Sequence, residues 1–152
     1  VYSNKIKSLK DLKNGAEIAI PNDPTNGARA LKLLAHEGII KVKSGDLISK
    51  LDITENKKNL KFQELDAPQL PRTLTEVDAA VINTNYALQA KLNPLKDAIA
   101  IESKDSPYAN IIAVKKENKD KPYIKALAKA VNDPSIKKFI QEKYNGSIIP
   151  AF

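Results

Sequence analysis

One short segment constrains this chain more than any other: an apolar strand that runs through a dense turn straight into an amphipathic helix. Glu17-Ile18-Ala19-Ile20 is an apolar run stopped by Pro21, too short for a helix and bounded by a strand breaker, so it is expected to form a β-strand. The next residues, PNDPTNG, carry Pro, Asn, Asp and Gly at the density of a turn. Ala28, Leu31, Leu34 and Ala35 then recur at helical spacing up to Gly38, with Arg29 in the first turn. The order recurs at Asp78-Ala79-Ala80-Val81-Ile82, an apolar strand interrupted by Asn83-Thr84-Asn85 and followed by a helix over residues 86–92. Strand, loop and helix in alternation imply an α/β fold with a largely parallel sheet.

Other segments fit the same architecture. KSLKDLKN, ahead of Gly15, is expected to form a short helical turn capped by Ser8. Residues 60–65 alternate and imply a strand, and Pro68, Pro71 and Arg72 open a short helix. Asp46 is a candidate cap for a short helix running to Leu51. Residues 98–101 and 110–114 are apolar runs expected as strands, separated by the polar connector 102–108. Ile124, Leu127, Ala128 and Val131 mark one helix, and Asp133-Pro134 caps another that ends at Gly146.

Composition narrows the functional classes. The formal charge is +7, but 23 of the 25 basic residues are Lys and only Arg29 and Arg72 are Arg. Nucleic-acid recognition relies on the bidentate guanidinium, so Lys spread along the whole chain implies a solvated surface and no nucleic-acid partner. With no Cys there is neither a disulfide framework nor a thiolate metal site. The single His, His36, lies on the helix after Arg29, where a solvent-facing position is expected. Glu102 and Asp105 form an acidic pair in principle, but in a polar connector they are expected to be solvated. The five glycines never fall into GxGxxG spacing and no Gly-x-Ser-x-Gly elbow occurs. No constellation for catalysis or for a cofactor emerges, and the chain is expected not to be an enzyme.

The residues point instead to binding. Open α/β sheets take their ligands beyond the carboxyl ends of the strands, and here two strands end in amide-rich loops: Ile20 into PNDPTNGAR and Ile82 into NTNY. A helix N-terminus offers N–H groups and partial positive charge. Arg29 adds a two-pronged donor for a carboxylate, and Asn26, Asn83 and Asn85 offer both donors and acceptors. These are the requirements of an amino-acid zwitterion. The competing reading is plainer: Asn and Asp as turn formers, and Arg29 in a surface ion pair with Glu37 or Asp23.

At the same residues the sequence resembles the NlpA/MetQ family of methionine-binding lipoproteins of ABC importers. IAIPNDPTNGARAL, QLPRTL, VDAAVINTNYAL, NPLKDAIAIE, PYANIIAVKK and KKFIQEKYNGSIIPAF carry the likeness, in the family's order and spacing. The resemblance implies a periplasmic-binding-protein-like fold of type II, with one complete lobe and part of the other. Residues 1–14 would belong to the first lobe or its connector, 15–97 to the second lobe, and 98–152 to the crossover and the C-terminal part of the first lobe. Most of the first lobe, and the lipid-bearing Cys that anchors the family to the membrane, would lie upstream of Val1. By the same resemblance Arg29 would grip the ligand carboxylate and Asn85 and Asn26 would bind polar groups of the ligand. Asn83 and Tyr86 are candidates by proximity. The implied ligand is L-methionine, a closely related amino acid or a methionine-containing dipeptide. The implied partners are an ABC permease and its ATPase, at the extracytoplasmic face of the cell membrane. The alternative, motivated by the basic charge and the missing catalytic groups, is a surface adhesion or interaction module with no transport role.

Overall fold

A computed structural model describes residues 1–103 and 107–152. They form two compact units, 1–102 and 103–152.

The first unit is built on β1 (Glu17–Pro21), which lies between two parallel partners. Its two faces are both covered, which is why its sequence is a continuous apolar run and not an alternating one. Ile18 and Ile20 point into one core with Leu31, Leu34, Leu9, Leu12 and Leu60, whereas Ala19 points into the other with Leu70, Val77, Ala80 and Ala87. Side chains as fully buried as Ile18, Ile20, Leu31 and Leu34 contribute ~1.5–3 kcal/mol each to folding.

Helix α1 (Pro24–His36) follows β1 after two residues. Asp23 caps it by accepting from the Asn26 N–H at 2.9 Å, and Pro24 occupies the first turn, where its missing N–H costs nothing. Ala28, Ala30, Leu31 and Leu34 form the buried face. Gly27 permits the approach of this first turn to the strand: a Cβ there would stand 2.9 Å from the Pro21 carbonyl oxygen.

The chain then makes a separate antiparallel pair, β2 (Lys41–Val42) with β3 (Ile53–Glu55), before β4 (Lys61–Leu65) joins β1 in parallel, Glu17 opposite Lys61. β5 (Ala79–Ala80) flanks the other edge of β1, with Ile18 opposite Ala79. Asp78 fixes that register, accepting the Glu17 N–H on its carboxylate at 2.8 Å while donating its own N–H to the Glu17 carbonyl at 2.9 Å. Tyr2 extends the layer through single antiparallel bridges to Ala80 and Ala98. Two short helices follow, α2 (Thr84–Gln89) and α3 (Pro94–Asp97).

Several expectations are corrected. The turn near Leu51 is a 3-10 helix over Lys50–Asp52 capped by Ser49, not by Asp46, because Ser49 and Asp52 close a reciprocal capping box. Asn83-Thr84-Asn85 does not separate strand from helix: Asn83 is the N-cap and Thr84 and Asn85 are helical. Residues 98–101 do not form a strand; α3 ends at Asp97, and only Ala98 bridges Tyr2 before the chain turns toward Arg29. Leu9 and Leu12 are buried in the core of the first unit, and the 3-10 turn Leu9–Asp11 is capped by Ser8 as anticipated.

The second unit contains α4 (Pro122–Val131) and α5 (Pro134–Tyr144). Asp133 caps α5 through the Ser135 N–H at 2.8 Å, and Asn145 closes it in the left-handed conformation, φ 45°. Residues 110–114 are not a strand. Ile111 is 83% exposed, and with no strand beside them among the described residues their backbone groups have no ladder to join. Tyr123, Leu127 and Val131 recur every four residues along α4 and are exposed. No described helix is long and apolar enough to cross a membrane.

Candidate functional site

A recess opens at the carboxyl ends of β1 and β5. Pro21, Asn26, Arg29, Ile82, Asn83 and Glu102 are among the residues that line it. The fold brings these together because β1 and β5 are both parallel to one direction, so the loops that leave them emerge side by side. Asn26 and Arg29 sit three residues apart on α1, hence on one face.

Arg29 is held side-on by Glu102. Its Nε donates to Oε1 at 2.8 Å and to Oε2 at 3.0 Å, and its Nη2 donates to Oε2. The two side chains are 33% and 25% exposed, so the pair is mostly withdrawn from solvent. The guanidinium is therefore already engaged in the chemistry expected of it, gripping a carboxylate, although by a partner 73 residues away in sequence. Neither anticipated partner has that role. Asp23 spends its carboxylate on the helix cap and on the Asn26 amide, and Glu37 lies beside His36 at 3.6 Å.

A second chain of contacts sets the amides. Asn26 Nδ2 donates to the Asp23 carboxylate at 3.0 and 3.2 Å, which turns its Oδ1 toward Asn83. Asn83 Nδ2 donates to that oxygen at 2.8 Å. The Asn83 Oδ1 is buried and has no hydrogen-bond partner among the described residues. A buried acceptor left unmade costs ~1–3 kcal/mol, and such an atom in the wall of a recess is an acceptor awaiting a donor. The wall thus presents a cation, an anion and an oriented amide oxygen.

Of the five residues singled out in the sequence, Asn26, Arg29 and Asn83 meet here. Asn85 is exposed on the first turn of α2 and does not line the recess. Tyr86 is half-buried and packs on the core cluster around Leu70 and Ala87. Glu102, expected to be solvated in the connector, instead pairs with Arg29 and is only 25% exposed, and its suggested companion Asp105 lies outside the described residues. The only sequence signal for Glu102 was a lone acid directly after the apolar run 98–101. His36 is a surface residue, its side chain 77% exposed.

The recess has room for about 80 Å³, well under the ~300 Å³ at which small-molecule pockets begin.

The three-stranded parallel layer with its site at the strand ends is a lobe of the periplasmic-binding-protein-like fold. The chain belongs to the NlpA lipoprotein family, whose model matches residues 1–152. It is 48% identical over 152 residues to the D-methionine-binding lipoprotein MetQ of Salmonella typhi, covering 97% of this chain and 56% of that protein. It is 46% identical to outer membrane lipoprotein 3 of Mannheimia haemolytica, covering 97% of this chain and 57% of that one. Among solved structures, a nutrient-binding protein from Burkholderia cenocepacia bound to methionine superimposes with TM-score 0.92 at 56% identity, over 99% of this chain and 65% of that one. A periplasmic substrate-binding protein of an ABC transporter from Coxiella burnetii matches with TM-score 0.91 at 45% identity, over 99% and 64%. The chain therefore spans little more than half the length of the curated relatives it matches.

Proposed function

We propose that this chain is the carboxylate-gripping part of the substrate-binding component of an ABC importer. It takes L-methionine, a closely related amino acid or a methionine-containing dipeptide, and delivers it to a membrane permease served by an ATPase. The observation that carries this reading is Arg29, two-thirds withdrawn from water and holding a carboxylate, beside the oriented Asn26–Asn83 pair at the ends of two parallel strands. The names of the relatives support it: methionine-binding lipoproteins, and a nutrient-binding protein bound to methionine.

Arg29 anchors the ligand carboxylate, and the Asn83 Oδ1 accepts from the ligand ammonium. Asn26 acts through Asn83 by fixing its amide. Asn85 and Tyr86 stand further from this centre and contribute only if the loop rearranges around the ligand. The opposite wall, including the pocket for the thioether, belongs to a first lobe supplied from outside residues 15–97. Closure of the two lobes excludes water and completes the site. The protein binds and releases its ligand without chemistry, on the extracytoplasmic face of the membrane and held there by a lipid.

Calorimetry of the complete protein with L-methionine tests the reading. Saturable binding that Arg29→Ala weakens at least a hundredfold is the expected result, since removing one partner of a withdrawn charge pair leaves the other uncompensated. No heat and no thermal shift at millimolar methionine would remove the proposal, and undiminished binding by Arg29→Ala would remove Arg29 as the anchor.

A further inference from the structure

We propose that Asp23 is a positioning residue of this recess: its carboxylate sets the Asn26 amide, which sets the Asn83 amide, so that Asn83 offers the ligand an acceptor and not a donor. The inference rests on the ligand-binding reading above, in which the Asn83 Oδ1 receives the ligand ammonium.

An amide side chain carries its oxygen and its NH2 on two arms of nearly equal size. A half-turn exchanges acceptor for donor and leaves the shape nearly unchanged. Packing alone therefore does not decide what Asn83 offers; a neighbour of fixed polarity must. Asp23 is that neighbour, because a carboxylate accepts and has nothing to donate. Its two oxygens lie 3.0 and 3.2 Å from the Asn26 Nδ2, so a reversed Asn26 would set oxygen against oxygen. Asn26 thus shows its Oδ1 on the other side, where the Asn83 Nδ2 donates to it at 2.8 Å. Reversing Asn83 would again oppose two oxygens. The atom at the end of this relay, the Asn83 Oδ1, is left buried and without a hydrogen-bond partner among the described residues. An acceptor in that state is costly, and the relay is what holds Asn83 there against turning over.

The choice of residue at position 23 fits this role. Asp23 caps α1, its Oδ1 accepting the Asn26 backbone N–H at 2.9 Å. Asn and Ser cap a helix about as well as Asp, so capping alone does not call for an acid. The acid adds a second oxygen that only accepts, Oδ2, 3.0 Å from the Asn26 Nδ2. An amide at position 23 would keep the cap through its oxygen but bring its NH2 against the Asn26 NH2. Asn26 would turn over, Asn83 would follow, and an NH2 group would stand where the ligand ammonium needs an acceptor.

Calorimetry on the complete protein separates this role from a merely structural one. The probes are L-methionine and its desamino analogue, which has hydrogen in place of the ammonium, and the readout is the ratio of their affinities. Asp23→Asn keeps the cap and the side-chain shape. It is expected to weaken L-methionine by about tenfold or more, the scale of one hydrogen bond to a charged group, while the analogue is nearly unaffected. Combining Asp23→Asn with Asn26→Asp moves the carboxylate one step along the relay at constant net charge. The Asn83 Nδ2 then faces only acceptors again, and the preference for L-methionine should return. An unmoved ratio in Asp23→Asn, whether or not both affinities fall, would overturn the inference, and so would a double variant that fails to restore it. If Asp23→Asn does not fold, the double variant decides: a wild-type ratio supports the inference and a lost preference overturns it. A wild type that binds both ligands equally overturns it as well. A wild type that binds neither refutes the binding reading itself, a result distinct from one that prefers L-methionine with a ratio indifferent to residue 23.

Discussion

Removing Arg29 should expose how strongly the fold itself depends on the charge pair. In Arg29→Ala the Glu102 carboxylate stays where it is, 75% covered and without the guanidinium that three contacts now supply. Breaking a fully buried pair from one side costs ~3–5 kcal/mol, and a fully exposed pair contributes ~0–1 kcal/mol. With a quarter to a third of each side chain in water, the expected cost is about 1–2 kcal/mol. For a protein of this size that lowers the melting temperature by roughly 3–6 °C. Replacing both partners, as in Arg29→Met with Glu102→Leu, removes the stranded charge and should recover most of the loss. Thermal melts of the two single variants and the double variant form a cycle. A coupling below about 0.5 kcal/mol would refute the reasoning, because the two groups would then be acting independently.

Three further outcomes follow from the packing. Gly27→Ala places a Cβ 2.9 Å from the Pro21 carbonyl oxygen, so the first turn of α1 must move; a loss of about 1–3 kcal/mol in urea melts is expected, together with weaker ligand binding. Leu31→Ala empties a fully buried position between α1 and β1 and should cost ~2–5 kcal/mol in the same assay. Hydrogen bonds from Ser135, side chain first and then backbone, hold the Asp133 carboxyl below its ordinary value of 3.8. A carboxyl lowered in the folded state stabilises α5 above that ordinary value and stops doing so as pH falls through its folded value. Helicity followed by circular dichroism should therefore fall below about pH 4, and Asp133→Asn should flatten that acid response.

The sequence made the strand–turn–helix unit at 17–36 legible because three independent signals agree there: an apolar run, a turn dense in Pro, Asn, Asp and Gly, and a helical stripe. The same logic found the strand near Ala79 and the caps at Ser8 and Asp133. It failed where only one signal was present. Residues 110–114 are an apolar run without a strand alongside among the described residues, whereas residues 98–101 meet only Val1 and Tyr2, too short a partner for a ladder; sequence reveals neither circumstance. The candidate site divides the same way. Arg29 and Asn26 were found because a helix start places them at a strand end. Asn83 was found as part of an amide-rich loop, although its capping position, which tucks its oxygen inward and leaves Asn85 outside, depends on where α2 begins. Glu102 could not be found, because a contact across 73 residues is made by the sheet order and leaves no local pattern.

The anchoring of a small zwitterion by Arg29 is tested most directly by a crystal structure of the complete protein with L-methionine. The ligand carboxylate should lie within ~3.0 Å of the Arg29 guanidinium, the length of a charge-assisted hydrogen bond, with its ammonium beside the Asn83 Oδ1. Density for methionine elsewhere, with no ligand carboxylate at Arg29, would contradict the account.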